Sequence, residues 1–139
     1  MSKSFSAKVM SEILELFSMY MEKNNEKLIK DALRKGEKPT PQPAVPKTRF
    51  EDGPNGRVFY ANEQSRSGIT VFYQHGGAYF MDFTVPHWRL IDKLIKGADA
   101  KIIAPAYRLL PFATWREAYD LIVPLYKEYR EAQDRKSVV

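Results

Sequence analysis

A strand that runs directly into a glycine turn constrains this chain more than any other stretch. Residues 69–73, Ile-Thr-Val-Phe-Tyr, are all β-branched or aromatic, and such residues pack well in a strand. Gln74 and His75 follow, and then come Gly76 and Gly77, whose backbone can adopt angles that a side chain would forbid. The pattern predicts a buried strand that ends in a turn able to direct backbone N–H groups at a ligand.

The next segments predict a βαβ unit. Residues 85–96 carry apolar residues at helical spacing, with Pro86 in the first turn and Gly97 at the C-terminal end. Residues 101–107 form a second apolar run, which predicts a strand. A strand, a helix and a strand within this length form a right-handed crossover, so we expect the two strands to be parallel in one sheet.

Two motifs in this unit resemble those of a known family. Residues 75–78, His-Gly-Gly-Ala, are similar to the His-Gly-Gly-Gly motif of α/β-hydrolase esterases and lipases of the hormone-sensitive-lipase-like group. Residues 107–111, Tyr-Arg-Leu-Leu-Pro, are similar to the Tyr-Arg-Leu-Ala-Pro stretch of the same group. The resemblance implies an α/β fold, namely the N-terminal half of an α/β-hydrolase sheet, and an activity on carboxylic esters.

The resemblance also implies roles for the glycine turn. The backbone N–H groups of Gly77 and Ala78 would form the oxyanion hole, while His75 and Gly76 would support the loop. His75 would hold the loop by hydrogen bonds and would not be the general base. Ala78 replaces the third glycine of the motif, and a Cβ makes the left-handed region costly by about 1–2 kcal/mol. We therefore expect right-handed or extended backbone at Ala78.

Tyr79 and Phe80 follow the turn directly. They either line an acyl or alcohol pocket beside the hole or pack in the core, and the sequence leaves both alternatives open.

Tyr107 and Arg108 are expected to be structural anchors. Their surroundings depart from the family pattern, because Ala106 stands where the family has Asp and residues 112–113, Phe-Ala, stand where it has Glu-His. The charge partner of Arg108 is therefore open, with the carboxylates at positions 82 and 120 as candidates.

The first 47 residues predict a helical segment followed by a linker. Apolar residues recur at helical spacing over residues 6–20 and 25–34, which indicates two helices or one bent helix in residues 1–37. In the family, N-terminal helices form part of a cap over the active site; packing on the body of the domain is the alternative. Four prolines in residues 38–47 exclude a regular helix and predict an extended linker.

Residues 48–139 predict a partial α/β-hydrolase core. Residues 48–51 and 57–61 flank an Asn-Gly turn and predict an antiparallel hairpin. Thr114 and Glu117 form a capping box at the start of a last helix, and residues 136–139 are expected to begin another strand. No Gly-x-Ser-x-Gly pattern occurs, so none of the catalytic triad is present, and Ser137 lacks the glycines of a nucleophile elbow.

Composition limits the other classes of function. A hydrophobic content of 44% supports a core, yet no stretch approaches the roughly 20 apolar residues of a membrane span, and we expect a cytoplasmic protein. With no cysteine and only His75 and His87, no metal site and no cofactor are expected. The net charge of +5 comes from cations interleaved with carboxylates, which favours a solvated surface over nucleic-acid binding.

These observations predict the N-terminal portion of a serine-dependent carboxylic ester hydrolase, with a small-molecule ester as substrate and with no activity of the chain alone. A non-catalytic α/β-hydrolase-like binding module is the alternative. An exposed edge strand would favour self-association of the isolated chain.

Overall fold

The computed structural model describes residues 5–77 and 79–136, which contain three helices and four strands in the order α1-β1-β2-β3-α2-β4-α3. The helices are α1 (Phe5–Gly36), α2 (Val85–Ala98) and α3 (Trp115–Lys136), and the strands are β1 (Thr48–Gly53), β2 (Gly56–Ala61), β3 (Thr70–Phe72) and β4 (Lys101–Tyr107). The residues up to Ala32 form one compact unit and those from Leu33 onward form a second. The second unit contains the sheet.

The four strands form one mixed sheet in the order β1-β2-β4-β3. The hairpin β1–β2 is antiparallel, and β2 pairs antiparallel with β4. The strands β3 and β4 are joined through α2 and pair in parallel, with Val71 opposite Ile102. The predicted α/β architecture, an antiparallel hairpin followed by a parallel βαβ unit, is therefore confirmed.

The central strand β4 contributes side chains to two hydrophobic clusters, because successive side chains of a strand point to opposite faces of the sheet. Ile102 and Ala104 pack in a cluster with Ile91 of α2. Ile103, which is fully buried, packs in a second cluster against Leu121 and other residues of α3. The sheet is thus covered by α2 on one face and by α3 on the other.

The C-terminal end of α2 differs in detail from the prediction. The helix continues through Gly97 to Ala98, and the left-handed residue is Asp99, with φ of 46°. Asn62 holds Asp99 in this conformation, since its Nδ2 donates to Asp99 Oδ1 at 2.8 Å and to the Ala100 carbonyl at 3.1 Å. The left-handed residue that follows α2 is therefore stabilised by a side-chain hydrogen bond from Asn62, and it is not the expected Gly97.

Of the two alternatives that the sequence left open for the N-terminal segment, the structure has the single helix, α1. Two other expectations need correction. The strand predicted as buried is short and half-buried, and Ile69 is 47% exposed, because β3 pairs on only one side. Lys136 is the last residue of α3 and does not begin a strand, while Ser137 and the two residues after it lie outside the described part of the chain.

The linker contains neither helix nor strand from residue 39 onward, as its prolines predict. It nevertheless packs on the core, since Thr40 is 7% and Val45 8% exposed. The predicted domain boundaries at residues 37 and 47, and the role of α1 as a cap, stay predictions.

We expect Phe59→Ala to lower the free energy of unfolding by about 3–5 kcal/mol, because truncating a large core side chain leaves a cavity. Phe59 is 1% exposed, and its ring meets that of Trp88 at 5.1 Å. Phe50→Ala is the matched control, since Phe50 is 39% exposed and should cost less than half as much. Urea unfolding followed by circular dichroism measures both; equal losses would contradict this assignment of the core.

Candidate functional site

The predicted site lies where the two parallel strands end. The glycine loop (residues 75–83) follows β3, and Tyr107 is the last residue of β4. Because β3 and β4 are parallel neighbours, their carboxyl ends meet at one edge of the sheet, where open α/β sheets place their ligand sites.

Tyr107 holds the start of the glycine loop. Its hydroxyl donates a hydrogen bond to the carbonyl oxygen of His75 at 3.0 Å. The two rings are also stacked, with centroids 4.6 Å apart and planes within 3° of parallel. Burial raises the pKa of Tyr107, so its hydroxyl remains protonated and available as a donor.

His75 is buried, with 2% of its surface exposed. Its Nδ1 donates to the Gly76 carbonyl at 2.8 Å, which places the proton on Nδ1 and leaves Nε2 as an acceptor. Among the described residues Nε2 has no hydrogen-bond partner. A second proton would have no acceptor there, and burial lowers the pKa of His75 although the nearby Asp82 acts in the opposite direction. His75 is thus placed to support the loop and is shielded from solvent.

Gly77 is the point at which the loop turns. Its φ is 135°, a conformation that favours glycine, and an added Cβ would lie 2.7 Å from the carbonyl oxygen of Met81. The carbonyl of Gly77 accepts from the N–H groups of Phe80 and Met81 at 3.1 and 3.0 Å. Within residues 5–77 and 79–136, the N–H of Gly77 itself has no acceptor. Its carbonyl therefore closes the turn while its amide stays unpaired.

The second expected donor, Ala78, lies outside the described residues, so its φ and its N–H remain predictions. Tyr79 next to it has φ of 62°, and its carbonyl accepts from the N–H of Leu110 at 2.7 Å. This bond ties the middle of the glycine loop to the segment after β4.

The two candidate pocket residues differ in position. Tyr79 is 38% exposed and lines an open groove with Trp115 and Tyr119 of α3. Phe80 is half-buried and does not line that groove.

The far end of the glycine loop is fixed by its own side chains. Phe83 stacks on Trp88 with centroids 4.5 Å apart and meets the His75 ring at 4.3 Å. Asp82 Oδ1 accepts from the N–H of Phe83 at 2.7 Å and from Thr40 Oγ1 at 2.8 Å. Sequence analysis missed the Thr40 contact, because nothing local indicates a bond across 42 residues.

Arg108 behaves differently from Tyr107. Its side chain is exposed and lines a cavity of about 310 Å³, together with Thr40, Asp82 and Tyr107. Among the described residues, neither Asp82 nor any other carboxylate pairs with it within 4.0 Å. The backbone N–H of Arg108 donates to the carbonyl of Asn55 at 3.2 Å. The structural-anchor role expected of Arg108 stays a prediction.

His87 has a structural role that the sequence analysis did not identify. It is half-buried rather than on the surface, and its Nδ1 accepts from the N–H of Thr84 at 3.0 Å. Thr84 is the N-cap of α2, so His87 completes a capping box. The spacing of three residues between them was the signal that could have revealed it.

Two features are absent from residues 5–77 and 79–136. No helix there is long and apolar enough to cross a bilayer. No three His, Asp or Glu side chains in the same part of the chain lie close enough together to hold a metal ion.

We expect the free energy of unfolding to fall as the pH drops below about 6.5, the ordinary pKa of histidine. The pKa of His75 is lowered in the folded state, so the unfolded chain binds a proton that the folded chain does not. His75→Asn retains an N–H donor for the Gly76 carbonyl and should show a smaller loss between about pH 7.5 and pH 5.5. Urea titrations at several pH values measure this; identical slopes would contradict it.

Comparisons with known proteins agree with this architecture. A family model for the alpha/beta hydrolase fold matches residues 71–138. The chain also matches the crystal structure of a "putative esterase" from Staphylococcus aureus, with a TM-score of 0.63 and 21% sequence identity. The match covers 77% of this chain and 38% of the length of that one. No curated protein matches the sequence. Together with the sheet order, these matches show that the chain has part of the α/β-hydrolase fold.

Proposed function

We propose that this chain supplies the oxyanion hole of a serine-dependent carboxylic ester hydrolase. The donors are the N–H groups of Gly77 and Ala78, and the substrate is a small-molecule carboxylic ester. The nucleophile, the acid and the general base are not among these 139 residues, so the chain alone is inactive.

One observation carries the proposal: among the described residues the N–H of Gly77 has no acceptor, while its neighbours in the loop are held by hydrogen bonds. Acyl transfer passes through a tetrahedral oxyanion, and donors that are already oriented stabilise it without reorganisation. His75 is held by Tyr107, and the Gly77 carbonyl closes the turn with Phe80 and Met81. A rigid loop with a free amide is what such a hole needs.

The surroundings fit a role for each predicted residue. His75 and Gly76 support the loop, as the 2.8 Å bond between the His75 ring and the Gly76 carbonyl indicates. Tyr79 stands beside the hole and lines the open groove, so we assign it to substrate contact. Phe80 is a weaker candidate, because it is half-buried and lies outside that groove.

A non-catalytic binding module of the same fold is the second candidate. The row of exposed aromatic residues on α3 favours it: Trp115, Tyr119 and Tyr126 are each at least half exposed. The coding sequence beyond Val139 discriminates between the two. A Gly-x-Ser-x-Gly pattern soon after that codon supports the hydrolase, whereas a stop codon supports the binding module.

The purified 139-residue chain should not hydrolyse p-nitrophenyl acetate above the buffer rate. A longer product that includes the elbow should be active, and Gly77→Ala in it should lower kcat by about 100- to 1,000-fold, the usual effect of losing one donor of the hole. The added Cβ would collide with Met81 and would be strained at a φ of 135°.

Gly97→Ala is the matched control, because a Cβ on Gly97 meets nothing within 4 Å and this residue lies on α2. It should leave kcat unchanged. Turnover by the 139-residue chain, or equal kcat values for the two alanine variants, would contradict the proposal.

A further inference from the structure

A buried hydroxyl joins the linker to the glycine loop. Thr40 is 7% exposed, and its Oγ1 donates to Asp82 Oδ1 at 2.8 Å. The same oxygen of Asp82 accepts from the N–H of Phe83 at 2.7 Å. A single carboxylate oxygen therefore connects two segments that are 42 residues apart in the chain.

The linker is also fixed on its other side. Arg57 Nη1 donates to the carbonyl oxygen of Thr40 at 2.8 Å. The guanidinium of Arg57 is itself held by Asp52 through two bonds of 2.6 and 2.9 Å. Thr40 is thus bound to the hairpin through its backbone and to the glycine loop through its side chain.

The linker is suited to pass on a displacement. Prolines stand at positions 39 and 41, on both sides of Thr40, and proline-rich segments are extended and semi-rigid. A movement of Thr40 would be transmitted along such a segment instead of being absorbed by it.

The loop side of the contact reaches the proposed oxyanion hole. Asp82 directly follows the turn that the Gly77 carbonyl closes with Phe80 and Met81. On its other side Phe83 packs on the His75 ring at 4.3 Å. The glycine loop is therefore held at three places, by Tyr107 at its start, by the Leu110 N–H in its middle and by Thr40 through Asp82 near its end.

We propose that Asp82 is a positioning residue that couples the linker to the glycine loop, so that the position of the linker controls the order of the oxyanion hole. The proposal rests on the proposed function for its catalytic meaning. Its test measures backbone order and not hydrolysis, so either proposal can fail without the other.

The coupling needs the acceptor oxygen and not the charge, because both hydrogen bonds end on Oδ1. Asp82→Asn retains this oxygen as an acceptor and should preserve the coupling, whereas Asp82→Ala removes it. On the linker side, Thr40→Ser keeps the hydroxyl, and Thr40→Val removes it with little change in shape.

Amide hydrogen exchange of the full chain, followed by mass spectrometry, tests the coupling. Thr40→Val should speed exchange in residues 79–83 by about 3- to 10-fold, the change expected when one hydrogen bond is lost. Asp82→Ala should speed exchange in the same residues at least as much, because it also removes the acceptor of the Phe83 N–H. Thr40→Ser and Asp82→Asn should restore exchange to within about twofold of the unmodified chain.

Asp92→Ala is the control, since it removes a carboxylate that pairs with Lys96 on α2 and should leave exchange in residues 79–83 unchanged. If Asp82→Ala speeds exchange in β2 and β4 as well, the chain has unfolded and Thr40→Val decides the question. The proposal is overturned if Thr40→Val leaves exchange in residues 79–83 unchanged, or if Asp82→Asn behaves like Asp82→Ala.

Discussion

The contact between Tyr107 and His75 is the interaction on which the candidate site depends. It joins the end of β4 to the first residue of the glycine loop by a hydrogen bond of 3.0 Å and by two stacked rings. A loop that leaves the edge of a sheet has few backbone partners of its own, so its conformation must be imposed by its neighbours. Here the neighbouring parallel strand imposes it.

This arrangement leaves the N–H of Gly77 without an acceptor among the described residues. The Tyr107 hydroxyl donates to the carbonyl of His75, and the Leu110 N–H donates to the carbonyl of Tyr79. Thr40 donates to the carboxylate of Asp82. The N–H of Gly77 takes part in none of these bonds. An oxyanion hole requires the same division, with the loop rigid and its amides unpaired until charge develops on the substrate.

Sequence analysis predicted the elements whose causes are local. The Asn-Gly turn predicted the hairpin, and the order of the apolar runs predicted the βαβ unit. Thr114 and Glu117 predicted the start of α3, where the Glu117 side chain accepts from the N–H of Thr114 at 2.8 Å. His87 could have been found in the same way, from its spacing to Thr84.

The contacts that shape the site could not be predicted, because they connect distant residues. The bond between Tyr107 and His75 spans 32 positions and that between Thr40 and Asp82 spans 42. The burial of β3 was overestimated for a similar reason: its residue types suit a buried strand, but burial depends on how many strands flank it, and here β4 is its one neighbour. The left-handed Asp99 in place of Gly97 likewise depends on Asn62, 37 residues away.

Amide exchange at Phe80 and Met81, resolved by NMR, tests most directly whether β4 imposes the conformation of the loop. Both N–H groups donate to the Gly77 carbonyl and so report on the turn itself. Tyr107→Phe removes only the hydroxyl, and it should reduce protection of both amides by about 3- to 10-fold. Tyr119→Phe, at a tyrosine that is 55% exposed, should leave them unchanged. Equal protection in the two variants would contradict the account.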